Sequence, residues 1–230
     1  MNRKQKAYRN AGIWMAAFFV LMILVLHVDV RGIGADGMNV GLSHLNGAVH
    51  FITRSHPYIY VFTELIRWIA VLVALSFILL AVWVLIKKRT LRSVRGIACL
   101  IPTYAMMLPF WFFLNVFTVN CGPALFLGES HPSNSFPSMT TVFCLVVFGT
   151  ALIEWHRLFR DQKALLEKLD MAGMVLIGIT LLVRLLAGMN WFTDLLAAVF
   201  LSLSLINLYK GLCIRVVYTQ EHHTKATENR

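Results

Sequence analysis

The sequence predicts an all-α, polytopic membrane protein with six transmembrane helices and both termini in the cytosol. Composition is the first reason. Of 230 residues, 58% are hydrophobic and 14% are charged, and the mean hydropathy is +0.70. A soluble domain carries roughly a quarter charged residues. Arrangement is the second. The apolar residues collect in runs of about 18 or more, long enough to cross a hydrocarbon core of about 30 Å as helices. Lipid offers no partner to a loose backbone N–H or C=O, which favours helix, and β-barrel alternation is absent. Charge placement is the third. The net charge of +10 lies between the apolar runs, which fits membrane topology and argues against a nucleic-acid surface.

In chain order, span one is expected at about Ala11 to Val28, behind Arg3, Lys4, Lys6 and Arg9. It reads as a retained anchor, since the apolar stretch is long and no small-x-small cleavage site follows. Residues 29 to 57 come next, broken by Gly32, Gly34 and Gly37. Within them Met38 to Ile52 has loose helical periodicity and is expected along the membrane interface. Span two is about Tyr58 to Ile86, span three about Gly96 to Val119 and span four about Ser138 to Trp155. Span five is about Met171 to Gly188 and span six about Phe192 to Val217. The charged segment HRLFRDQKALLEKLD between spans four and five is expected to be helical. Neither an internal repeat nor a separate soluble domain is visible, so residues 1–230 read as a single transmembrane domain.

The positive-inside rule orients the bundle. Lys and Arg concentrate before span one, in KKRTLRSVR after span two, and after span four. The first outer loop has only Arg31 and Arg54, and the loop 120–137 has none. The first, third and fifth loops are therefore expected outside. The four cysteines (Cys99, Cys121, Cys144, Cys213) show no CxxC or metal-ligand spacing, so no metal or cofactor is expected.

Polar groups within spans are costly and usually functional. Arg184 lies about one turn inside the outer end of span five, roughly 6 Å deep at 1.5 Å per residue. Asp194 begins span six, Ser138, Thr140 and Thr141 begin span four, Asn115 lies near the outer end of span three, and Glu64 and Arg67 sit in span two. One reading pairs Arg184 with Asp194 and Glu64 with Arg67, and nothing more. The other builds an outward polar pocket for an anionic head group. Arg184 would be its cation because a guanidinium fork suits phosphate, with donors added by the start of span four.

These residues resemble the motifs of the type 2 phosphatidic acid phosphatase superfamily of membrane lipid phosphatases, in generic form K-x6-R-P, P-S-G-H and S-R-x5-H-x3-D. VRLLAGMNWFTDLLAAV matches the third in register and keeps Arg184, Gly188, Trp191, Thr193 and Asp194. SFPSMTT keeps Pro137 and Ser138 of the second. NVFTVNCGP keeps only Pro123 of the first. The departures fall on the chemistry. Asn190 stands at the nucleophilic histidine, Thr140 at the acid histidine, Asn115 and Gly122 at the first-motif lysine and arginine, and Val183 at the third-motif serine.

The resemblance implies a histidine that attacks phosphorus, a second that protonates the leaving alkoxide, and cations that hold the phosphoryl oxygens. It implies phosphate binding at Arg184, Ser138 and Asn115. Asp194, Trp191, Thr193, Gly188, Pro123 and Pro137 would orient the site or support it. An asparagine amide has no basic lone pair and forms no phospho-enzyme, and threonine is a very poor acid near neutral pH. Because such groups act as a unit, losing even one costs several powers of ten.

The expectation is a protein of the bacterial plasma membrane that binds a lipid phosphate or polyprenyl phosphate on the outer leaflet, with hydrolysis lost or much reduced. One alternative is an active lipid phosphatase or phosphotransferase with a reassigned nucleophile, for which His131 is the candidate. Glu129, His44, His50 and His56 read as solvated loop residues. A transporter or structural membrane protein is the second alternative, and it would show broken helices, for which span three offers Pro102 and Pro109.

Overall fold

The computed structural model describes residues 2–88, 95–124 and 134–228. The order is α1 (Arg3–His27), α2 (Ser43–Thr53), α3 (Tyr60–Lys88), α4 (Arg95–Ala98), α5 (Leu100–Ala105), α6 (Met107–Val116), α7 (Met139–Leu158), α8 (Lys163–Ala187) and α9 (Phe192–Glu228). Six stretches are long and apolar enough to cross a membrane, with α4 to α6 together forming the third. Extended pairing among the described residues is limited to two isolated bridges, Arg31 with Val40 and Cys121 with Asn134. This is the six-span all-α class that the apolar runs predict.

Span three is built from short pieces for a local reason. Pro102 and Pro109 carry no N–H, so the carbonyls four residues earlier lose their helical donors. The helix breaks at Cys99 and Met106, three residues ahead of each proline. Both breaks keep right-handed helical angles (φ −69°, ψ −16° and φ −66°, ψ −15°). The span is jointed but not unwound, unlike the opened segments expected of a transporter. The charged segment after span four divides differently from the expectation. α7 runs to Leu158, a turn covers residues 159–162, and α8 starts at Lys163. His156 of α7 pairs with Asp170 of α8 at 2.9 Å across this hairpin.

α7 and α9 form the centre. In its most apolar stretch α7 is 61% buried, against 11% for α3 and 17% for α8, so the latter two spend most of their surface on lipid. α1 runs antiparallel to α9: Ser204 Oγ donates to Ala11 O at 2.9 Å, and Trp14 meets Phe200 with ring centroids 5.6 Å apart. Phe18, Val25, Val142, Val146, Leu201 and Leu205 fill the space between α1, α7 and α9. The start of α1 and the later part of α9 therefore share one end of the bundle, and the links 29–59 and 188–191 lie at the other.

Near the chain-terminal end a buried carboxylate joins two spans. Glu154 of α7 is 1% exposed. It accepts from Arg157 Nη1 at 2.7 Å and from the hydroxyl of Tyr209 on α9. A buried charge is tolerated when it is paired and hydrogen-bonded, and removing its partners is expensive. Glu154→Ala is expected to cost about 1–3 kcal/mol, because it leaves the buried Tyr209 hydroxyl without its acceptor while the half-exposed Arg157 turns to water. Tyr209→Phe should cost about 1 kcal/mol, because Glu154 keeps its arginine. Denaturant titration in detergent micelles checks the order. Equal losses would mean that the carboxylate does not hold the two helices together.

Candidate functional site

The site lies where α7 begins and α8 ends. Ser138 is the residue before α7, in extended conformation (φ −64°, ψ 93°), so its hydroxyl reaches sideways out of the helix start. α8 stops at Ala187, and Gly188 follows in the left-handed region (φ 67°). Two constraints ask for glycine there: left-handed backbone is strained for residues with a Cβ, and a Cβ would stand 2.4 Å from Ser55 Oγ. Arg184 is one turn before this stop, 7% exposed.

Three side chains from the second and third motifs meet. Arg184 Nη2 donates to Ser138 Oγ at 3.0 Å, and Ser138 Oγ donates to Asn190 Oδ1 at 3.1 Å. Thr141 Oγ1 lies 2.8 Å from the same serine oxygen. A hydroxyl has one hydrogen and two lone pairs. With its hydrogen on Asn190, Ser138 accepts from Arg184 and Thr141 and is saturated. Asn190 is tied at its other end too, donating Nδ2–H to Ser135 O at 3.1 Å. Arg184 Nε, by contrast, is buried without an acceptor. Beside these groups is a cavity of about 200 Å³ lined by Trp111, Ser135, Ser138, Thr140, Arg184 and Asn190, among others.

Behind the cavity a second set of polar groups holds the link between α8 and α9. Asp194 is fully buried. Its Oδ2 accepts from Trp191 N at 2.9 Å and its Oδ1 from Asn120 Nδ2 at 3.3 Å. Trp191 Nε1 donates to Cys121 O at 2.6 Å. Asn120 Oδ1 accepts from Gly41 N at 3.2 Å, and Asn46 Nδ2 donates to Gly41 O at 2.8 Å and to Thr193 Oγ1 at 2.9 Å. Thr193 N closes the circuit on Asn46 Oδ1 at 3.1 Å. Gly41 lets the chain enter this circuit, because a Cβ there would fall on the carbonyl of Val25.

The structure thus gathers Pro137, Ser138, Thr140, Arg184 and Asn190 at one cavity and sets Gly188, Trp191, Thr193 and Asp194 behind it. Arg184 and Asp194 do not form the ion pair considered from sequence, since the carboxylate turns to Trp191 and Asn120. Glu64 and Arg67 do pair, with Arg67 Nε 2.8 Å from Glu64 Oε2. Gly122, at the first-motif arginine position, offers no side chain, and its carbonyl accepts from Ala35 N at 3.3 Å. Pro123 is half-buried just beyond it. The side chain of Asn115, and all of Glu129 and His131, lie outside the described residues. Of the first-loop histidines, His44 pairs with Asp29 at 2.8 Å and His56 N donates to Leu186 O at 3.2 Å. His50 packs its ring on Trp191, centroids 5.3 Å apart. Asn46 and Asn120 escaped the sequence reading because neither occupies a specified motif position and both act through contacts with distant segments.

Comparison with known proteins agrees with the fold. The sequence profile of the PAP2 superfamily matches residues 103–219, just over half the chain and the whole stretch from α5 into α9. The chain belongs to the PAP2 superfamily. Its fold is similar to the crystal structure of a transmembrane PAP2-type phosphatidylglycerolphosphate phosphatase from Bacillus subtilis. That match has a TM-score of 0.65 and 14% identity, over 88% of this chain and 94% of the other. Comparison with curated proteins gives no significant match.

Two outcomes follow for this PAP2 site. Asp194→Ala strands the Trp191 N–H and the Asn120 amide, and is expected to cost about 2–4 kcal/mol. Asp194→Asn, which keeps an acceptor for Trp191, should cost less. Denaturant midpoints would separate them, and equal midpoints would refute the assigned bonds. The second outcome concerns pH. Burial lowers the His50 pKa from its ordinary 6.5. The unfolded chain then takes the proton first, so the packing of α2 on Trp191 is fully held above about pH 6.5 and weakens as pH falls below it. Tryptophan emission followed against pH should show this shift in the natural protein and not in His50→Phe. A shift that survives in His50→Phe would assign it to another group.

Proposed function

We propose that this PAP2 protein binds the phosphorylated head group of a lipid in the Arg184 cavity, facing the outer leaflet, and that its hydrolytic chemistry is lost or much reduced. The observation that carries this is the state of Arg184. Its guanidinium is buried beside a cavity, bonded to one hydroxyl, with Nε lacking an acceptor and with no carboxylate partner among the described residues. An unpaired buried cation is costly, and a planar fork of donors suits a phosphate oxygen pair.

A lipid is favoured over a free phosphate by what adjoins the cavity. An apolar groove of about 350 Å³ runs between α5–α6 and α7, lined by Tyr104, Met107, Leu108, Trp111, Met139 and Phe143. Trp111 and Met139 line the polar cavity as well, so head-group and chain surfaces are contiguous. Loss of hydrolysis is argued from position 190. The Asn190 amide is bonded at both ends and has no basic nitrogen, and Asp194, which would orient a nucleophile there, is engaged by Trp191 and Asn120. Thr140 offers no proton at neutral pH. The outward orientation rests on the Lys- and Arg-rich ends at Arg3–Arg9, Lys87–Arg95 and Arg157–Lys168.

The test uses the full chain in nanodiscs. Phosphatidic acid binding is expected to weaken about 10- to 100-fold in Arg184→Ala, the scale of one or two charged hydrogen bonds. Phosphate release from phosphatidic acid, phosphatidylglycerol phosphate and a polyprenyl diphosphate is expected to stay at the Arg184→Ala background. Binding unchanged in Arg184→Ala would overturn the head-group reading. Release that vanishes in both Arg184→Ala and His131→Ala would replace it with an active phosphatase using His131.

A further inference from the structure

The helix α2 wears its polarity inside out. Asn46 is fully buried and Ser43 nearly so, while His50 leans on Trp191. On the opposite side Leu45 is 44% exposed and Phe51 and Ile52 are each 79% exposed, with Ala48 exposed between them. Positions 45, 48 and 52 follow the three-and-four spacing of one helical face, and 51 sits beside them. A loop helix bathed in water would turn this stripe inward and its asparagine outward. Here the asparagine is held inside by bonds to Gly41 and Thr193, which leaves the apolar stripe no place in the bundle.

We propose that α2 is a leaflet-embedded helix, its Leu45–Ala48–Phe51–Ile52 face immersed in the acyl–head-group boundary and its polar face gripping the start of α9. Lipid is the occupant because the stripe continues into surface that already faces lipid. Only residues 53–57 separate Ile52 from Tyr58, Val61, Phe62 and Leu65, which are 87%, 68%, 59% and 56% exposed at the head of α3. The level is right, since α2 packs against the first residues of α9, where that span begins. The flank is right as well: Arg54, directly after the stripe, is exposed, as a cationic side chain reaching for lipid phosphates is. This inference goes beyond head-group binding and does not need it.

The immersion has a consequence for the cavity. Through Asn46 and His50, α2 holds Thr193 and Trp191, and Trp191 is the residue next to Asn190. The leaflet, through α2, helps to hold one wall of the site.

Spin labels test this in the full chain, with the four buried native cysteines replaced by alanine and single cysteines introduced at Phe51, Ile52 and Arg54. Paramagnetic collision is measured in nanodiscs of phosphatidylcholine and phosphatidylglycerol. At 51 and 52 collisions with oxygen should exceed those with a water-soluble nickel chelate several-fold, and at 54 the ratio should invert. Nickel collisions at 51 and 52 matching those at 54 would overturn the proposal. So would dipolar broadening between labels at 51 on two copies, which would make a second copy the occupant. Phe51→Ser/Ile52→Ser, which leaves the Asn46 bonds intact, provides a second reading. Tryptophan emission from this variant should change when bilayer replaces detergent by less than half as much as it does in the natural chain. An equal change would count against immersion.

Discussion

A carboxylate buried without solvent must find its partners within the protein, and Asp194 sets the terms for one whole end of this bundle. Ionised or not, it needs donors, because burying such a group unpaired costs several kcal/mol. It takes one from the backbone of Trp191 and one from Asn120. The first fixes the turn between α8 and α9. The second draws in the segment after span three, and Asn120 in turn holds Gly41 ahead of α2. Two links far apart in sequence thus converge on one oxygen pair and a third joins them through Asn120, and this circuit lies directly behind the cavity.

The two ends of the bundle treat buried charge in opposite ways. Glu154 is closed off by an arginine and a tyrosine, which makes it a fastener between α7 and α9. Among the described residues Arg184 bonds Ser138 and leaves its Nε without an acceptor. Stability alone accounts for the first arrangement. The second leaves a buried guanidinium with Nε unbonded, which is the observation behind the proposed head-group site.

Much of this was legible in the sequence, and the reasons differ by element. The six spans are visible because lipid demands long apolar runs whatever the tertiary contacts. The meeting of Ser138, Arg184 and position 190 was readable from motif register. What register leaves open is direction: Asp194 has Arg184 as a plausible partner on paper, yet its carboxylate turns to the turn backbone. Asn46, Asn120 and Glu154 were not legible, because each acts through a contact with a distant segment and none occupies a specified motif position. The boundary between α7 and α8 was blurred by charged residues that suit a helix and a turn alike.

The jointed third span has a further implication. Two prolines divide it into three short rods, joined by single-residue turns at Cys99 and Met106. Ile97 of α4, Cys99 at the joint and Leu100 of α5 pack with Tyr209, while α6 carries Trp111 into the wall of the cavity. A jointed span lets natural variation reshape the cavity wall without forcing the far end of the same span to repack. In such a fold, selectivity and foldability can drift apart along a single transmembrane segment.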